Sequence, residues 1–211
     1  MIIDIWSDVV CPFCYLGSAQ LSQALKSFPH ADHVRVRTHA FELDPTSVHN
    51  PDISLDKMLA NKYQMTVEKA QSMHHDLEGK AAELGMHWTL AIAKVANTFD
   101  AHRLIALAGT QELEAVMVER LFQAYFSEGK LISDRDVLNE LASEVGVTGV
   151  DQLWEGDLFV DDVRHDEATA HSYGITGVPA MVFDGKYLVV GAQGVAGYTQ
   201  ALEQTWAERT N

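Results

Sequence analysis

Ile2-Ile3-Asp4-Ile5-Trp6-Ser7 runs directly into Asp8-Val9-Val10-Cys11-Pro12-Phe13-Cys14-Tyr15-Leu16-Gly17. The first part reads as a short buried strand with apolar residues on both faces. A helix follows the cysteines. Pro12 suits its first turn, where the missing N–H loses nothing. Cys14, Leu21, Leu25 and Phe28 recur at helical spacing and make one apolar stripe. Pro29 stops the helix. Val34-Arg35-Val36-Arg37-Thr38 then alternates with period two and reads as a second strand, continuing to Leu43 through a bulge at Ala40-Phe41. Strand, helix, strand is a βαβ unit.

Cys11 and Cys14 are the two cysteines of the chain. Only about one residue pair in a hundred has a separation of three, so the spacing asks for a reason. Two thiols do not close a structural zinc site, which usually takes four ligands. A structural disulfide would close a tiny loop and remove little unfolded-state entropy. A redox dithiol, placed where a strand runs into a helix, reads best.

Outward from this segment the pattern turns helical. The spacing predicts helices at Leu55–Tyr63, Val67–Gly85, Leu90–Leu107 and Gln111–Phe126. Ser133-Asp134-Arg135-Asp136 resembles a capping box opening a helix that ends at Gly146. Thr148 can cap a short helix through Trp154, and Asp161–Tyr173 closes the helical region. The tail returns to β. Ala180–Phe183 and Tyr187–Val190 flank Asp184-Gly185, a strong hairpin signal, and a last helix spans about Val195 to Trp206. The order is βαβ, helical block, ββα. The expected architecture is α/β: residues 1–54 and 174–211 form one mixed-sheet domain, with residues 55–173 as an all-helical insertion.

The 211 residues carry 15 Lys+Arg against 30 Asp+Glu, a net charge of −15. That balance argues against a nucleic-acid partner, because phosphate affinity comes from Lys and Arg. No stretch approaches 18 apolar residues, so no membrane span is expected. The N-terminus has no basic n-region and no apolar h-region, which implies a cytoplasmic chain whose thiols stay mostly reduced.

Three stretches resemble a known family. Ser7–Gly17 is similar to the active-site segment of FrnE-like members of the DsbA family. Asn97-Thr98-Phe99-Asp100-Ala101-His102-Arg103-Leu104 resembles that subfamily's signature in its helical domain. Gly174-Ile175-Thr176-Gly177-Val178-Pro179 resembles the loop carrying the family's cis-proline, and Gly191-Ala192-Gln193 fits as well. The resemblance covers essentially the whole chain. It implies a thioredoxin-like fold and thiol–disulfide exchange. The relatives include 2-hydroxychromene-2-carboxylate isomerases and kappa-class glutathione transferases, which have serine where Cys11 stands.

Exchange needs a thiolate that attacks a disulfide and a second thiol that resolves the mixed disulfide. Cys11, before the first helical turn, is favoured as the nucleophile by the free N–H groups and the helix dipole. Cys14, on the apolar stripe, is the resolving thiol. The DsbA pattern has a histidine between the cysteines. Pro12-Phe13 has none, and Asp8 lies just upstream, so a centre less oxidising than DsbA is expected. The resemblance implies that Pro179 is the cis-proline beside the dithiol, with the Val178 backbone free to pair with an extended substrate. Pro12 and Phe13 would flank that substrate. His102 and Arg103 read from the residues alone as helix surface or satisfied core; the resemblance instead implies the wall of a substrate cleft, with His102 shuttling a proton and Arg103 pairing a carboxylate such as glutathione's.

No metal and no tightly bound cofactor are expected, with glutathione as a redox co-substrate. His74-His75-Asp76 looks like a metal pair, but adjacent helical residues point apart. Gly191-x-x-Gly194 before a helix could bind an anion, but it lacks the rest of any nucleotide fingerprint. Expected partners are a thiol- or disulfide-containing protein or small molecule and a recycling reductant, glutathione or a thioredoxin system; a homodimer is also foreseen. Two other functions stay open: a glutathione-dependent isomerase or transferase acting on an aromatic or polyketide substrate, and a redox-sensing binding module.

Overall fold

A computed structural model of the chain describes residues 1–48 and 53–209. The chain divides into two compact units. The first is Met1–Leu43 with Arg164–Asn211, and the second is Asp44–Val163.

The first unit is built on a four-stranded sheet. β1 (Ile2–Ser7) lies at its centre, parallel to β2 (Arg35–Ala40) and antiparallel to β3 (Ala180–Phe183). β4 (Tyr187–Val190) pairs antiparallel with β3, giving the order β2-β1-β3-β4. α1 (Pro12–Ser27) is the crossover from β1 to β2, and α9 (Gly194–Arg209) packs against it. Alternation along the strands sorts the apolar residues onto two faces. Ile3, Ile5, Met181 and Phe183 meet Leu21, Ala24 and Phe28 of α1 and Tyr198 and Leu202 of α9. Trp6, Ala180 and Val182 pack with Ala170 and Ile175. Asp184, at positive φ beside Gly185, turns the hairpin as the Asp-Gly pair predicts.

The connecting helix α8 (Val160–Ser172) belongs mostly to this unit from Arg164 onward, although the sequence pattern grouped it with the insertion. Its polar side chains explain the difference. Asp166 accepts from the Ala40 main chain at 2.9 Å and meets His39 Nδ1 at 2.6 Å. The other His39 nitrogen meets Asp4 at 2.9 Å, and Trp6 stacks on the ring at 4.6 Å. Arg164 bridges Glu42 and Glu167.

The second unit comprises α2 (Leu55–Lys62), α3 (Val67–Glu83), α4 (Phe99–Gly109), α5 (Glu114–Phe126), α6 (Arg135–Val145) and α7 (Val150–Glu155). α2 packs on α3, and α5 packs between α4 and α6. Leu104, Met117, Leu121, Phe122, Leu138 and Leu141 form its interior. Ser54 and Thr66 cap α2 and α3. Gly129 has φ 63°, and a Cβ there would fall 2.7 Å from the Ile92 carbonyl oxygen, so glycine is required on both counts.

Three sequence expectations are corrected here. The helix expected at Leu90–Leu107 is a 3-10 turn at Leu90–Ile92 and then α4. Ala93 is extended, Lys94 bridges to Ser54, and Asn97 Oδ1 accepts from Phe99 N at the start of α4. Asp134, not Ser133, caps α6, its side chain accepting from Asp136 N. Thr148 caps nothing, because its N–H and its hydroxyl both donate to Gln111 Oε1.

Arg103 organises part of this unit. It is 3% exposed. Its guanidinium donates to the carbonyls of Leu153 (2.5 Å), Gly156 (2.7 Å) and Leu158 (2.9 Å) and to Asp100 (3.0 Å). Phe99 and Trp154 lie within 6 Å of it. A planar fork with five donors suits several fixed acceptors in a way lysine cannot. Arg103→Met leaves these acceptors buried and unpaired, and urea unfolding should show a loss of about 3 kcal/mol. A loss under about 1 kcal/mol contradicts this role.

His39 makes stability depend on pH. Burial opposes its charge, but the hydrogen bonds to Asp166 and Asp4 outweigh burial and raise its pKa. A raised folded pKa contributes stability below the unfolded value, about 6.5, and loses it as pH rises through the folded value. Thermal unfolding followed from pH 5 upward should therefore show this stabilisation fading above the ordinary imidazole range. His39→Gln should remove that dependence, and an unchanged pH profile in the variant would sink the assignment.

Candidate active site

β1 delivers the cysteines. The strand ends at Ser7, Cys11 N donates to Asp8 O at 3.0 Å in a tight turn, and α1 begins at Pro12 with Cys11 as its N-cap. Cys11 O accepts from Cys14 N (3.0 Å) and Tyr15 N (3.3 Å), the first hydrogen bonds of the helix. Both cysteines are free thiols. Cys11 is 4% exposed and Cys14 is 2% exposed, whereas Phe13 stands out at 46%.

The two thiols differ in what surrounds them. Burial pushes the Cys14 thiol well above its ordinary value, and its hydrogen bond with Cys11 and the charge there add to the effect. The Asp8 main chain and the Ser7 side chain favour the anion, without overcoming burial. Cys14 therefore stays protonated until something draws its proton away. The nearby acid, Asp8, is buried and turns its Oδ2 to the Leu43 N–H at 2.7 Å.

The loop before β3 meets the dithiol. The Val178–Pro179 peptide bond is cis. The Cys11 thiol donates to the Val178 carbonyl at 3.6 Å. That carbonyl is therefore engaged in the dithiol form, where the sequence reading had the Val178 backbone free. Gly17 brings α1 close to the same loop: a Cβ there would lie 3.2 Å from Pro179 Cγ and 3.0 Å from the Tyr198 hydroxyl. Gly191 N donates to Pro179 O at 2.7 Å, and Gln20 Oε1 accepts from Gly194 N at 2.9 Å. Both glycine N–H groups are thus used internally, which corrects the reading of Gly191-x-x-Gly194 as an anion loop.

The structure brings Cys11, Cys14, Val178 and Pro179 together, with Pro12 and Phe13 on the same turn. His102 and Arg103 lie in the second unit, both buried on α4. Four of the five guanidinium donors of Arg103 are taken by the acceptors described above, which fits its reading as a satisfied core residue and not the cleft wall that the resemblance implied. His74 pairs with Asp56 at 2.7 Å while His75 is exposed, and among the described residues no group of three His, Cys, Asp or Glu side chains could hold a metal. No described helix is long and apolar enough to cross a membrane. Sequence reasoning missed Ser7, Gly17 and Tyr198. Only Gly17 left a signal: a glycine inside a helix costs about 1 kcal/mol against alanine and marks a close approach.

The chain is similar to several known proteins. Residues 2–203 match the model of the DSBA-like thioredoxin domain. A probable DsbA oxidoreductase from Streptomyces coelicolor has 37% identity and a TM-score of 0.95, with 100% of this chain and 92% of that one covered. An uncharacterized protein of Bacillus subtilis, YwbO, is 30% identical over 207 residues, 95% of this chain and 94% of its own. The cytosolic disulfide reductase DsbM of Pseudomonas aeruginosa, solved with GSH, shares the fold at 19% identity and a TM-score of 0.69, over 98% of this chain and 100% of its own. With a family match over nearly its whole length, the chain belongs to the DSBA-like thioredoxin domain family.

Proposed function

We propose that the protein is a thiol–disulfide oxidoreductase working through Cys11 and Cys14 on protein or small-molecule disulfides. The observation that carries this reading is the asymmetry of the pair. One thiol belongs to the N-cap residue of a helix and the other, three residues on, is held protonated by burial. Cys11 as thiolate attacks a disulfide R–S–S–R′, forming Cys11–S–S–R and releasing R′S⁻, which takes up a proton. Cys14 then loses its proton and attacks the Cys11 sulfur. The internal disulfide forms and RS⁻ leaves as RSH. Two electrons pass from the dithiol to the substrate, and two glutathione molecules restore the dithiol as they become glutathione disulfide.

The intervening Pro12-Phe13 supplies no side-chain donor to hold a thiolate, which favours a reductase or isomerase over a strong oxidase. That direction fits a reducing, cytoplasmic setting with glutathione as the recycling thiol. The fold shared with the GSH-bound cytosolic reductase motivates the choice. Pro12, Phe13 and Val178 are the groups proposed to meet the substrate at the mouth of the site. His102 is placed in the helical unit and has no role in this scheme.

Insulin reduction with glutathione as the electron source tests the reading. Wild type should accelerate precipitation, and Cys11→Ser and Cys14→Ser should each lose about 100-fold of the turnover rate. A Cys14→Ser protein that turns over at the wild-type rate would instead support a glutathione transferase or isomerase. The buried resolver has its own check. In native reduced protein, Cys14 should remain unalkylated by iodoacetamide at pH 9.0, the ordinary thiol value, and should react after unfolding. Rapid native labelling of Cys14 at pH 7 would contradict the assignment.

A further inference from the structure

Tyr198 is a buried titratable side chain for which the exchange scheme has no use. It is 0% exposed on α9. Its hydroxyl donates to Gly191 O at 3.0 Å. Gly191 N donates to Pro179 O at 2.7 Å. The residue before Pro179 is Val178, whose carbonyl accepts from the Cys11 thiol at 3.6 Å. From the other side, α1 approaches so closely at Gly17 that an added Cβ would press on both the Tyr198 hydroxyl and Pro179. One hydroxyl thus ties together α9, the end of β4, the proline loop and the helix that bears the dithiol. Burial pushes the phenol up to about 12, the Gln193 main chain works against this, and charge on Cys14 adds to it. The hydroxyl accordingly remains a neutral donor at neutral pH.

We propose that Tyr198 is a positioning residue for the nucleophile. By holding Gly191, and through it Pro179 and Val178, it keeps the Val178 carbonyl where it accepts the Cys11 proton. It thereby sets the balance between thiol and thiolate in the reduced protein. A hydrogen bond to the neutral form favours that form. The thiolate has no proton to donate and faces the same carbonyl oxygen, a partial negative charge. Exchange begins when the Cys11 proton leaves, so a carbonyl fixed in this position holds the reduced site in check until a substrate arrives. The consequence for turnover rests on the dithiol-exchange reading. The positioning itself does not.

Tyr198→Phe keeps the ring in the core and removes the donor. The readout is the rate of Cys11 alkylation by iodoacetamide, located by peptide mass mapping and measured as a function of pH. In this reaction the thiolate sulfur displaces iodide and the thiol proton passes to solvent. Loss of one ordinary hydrogen bond converts to a change of about threefold. The variant should therefore label Cys11 about threefold faster at pH 7, with its alkylation–pH profile moved to lower pH. Gly17→Ala crowds the same hydroxyl and Pro179 from α1 and should move the profile in the same direction, so the proposal stays testable if Tyr198→Phe does not fold. A profile that coincides with wild type while the thermal midpoint falls would show a merely structural tyrosine and overturn the proposal. A profile moved to higher pH would overturn it as well. Failure of the exchange reading is seen separately, as wild-type protein that does not reduce insulin while the two variants still shift the alkylation profile.

Discussion

A thiol removed from water resists carrying charge. In this protein that constraint falls on Cys14, while its partner three residues earlier caps the helix. The rest of the first unit serves this arrangement. β1 lies in the middle of the sheet, paired on both edges, and so ends at a fixed point. α1 starts there, buried against Ile3, Ile5, Met181 and Phe183. The proline loop reaches the same point because β3 is hydrogen-bonded to β1 in register, Trp6 opposite Ala180. Cys11 and Val178, 167 residues apart in sequence, meet as a result.

Three polar groups that the sequence offered to a thiolate, an anion or a carboxylate are each engaged with protein. Asp8, whose charge could have opposed a thiolate, bonds the Leu43 amide. Gly194 N, which could have held an anion, bonds Gln20. Arg103, which could have held a carboxylate, bonds three carbonyls and Asp100. The stretch Asn97–Leu104 thus has structural roles. Asn97 Oδ1 accepts from Phe99 N at the start of α4, Asp100 joins Arg103 to Arg135, and Arg103 bonds the carbonyls of Leu153, Gly156 and Leu158.

Local patterns made much of this legible. The cysteine spacing, Pro12 at the helix start, the Asp-Gly hairpin and the periodic apolar stripes each depend on neighbours within a few residues. Their elements appear within a few residues of the expected bounds. What the sequence hid depends on distant partners. Nothing near His39 reveals that Asp4 and Asp166 will both bond it. Tyr198 looked like one more core aromatic on the last helix, because its meaning comes from Gly191, Gly17 and Pro179. The helix expected across residues 93–98 failed for the same reason: Lys94 found a bridging partner at Ser54, forty residues away.

If Cys11 attacks and Cys14 resolves, mass spectrometry of the Cys14→Ser protein after brief exposure to glutathione disulfide should show one glutathione accumulating in mixed disulfide with Cys11 and staying there, whereas wild type passes on to the internal Cys11–Cys14 disulfide. A Cys14→Ser protein that remains unmodified, or a Cys11→Ser protein in which Cys14 takes up glutathione just as fast, would contradict that assignment.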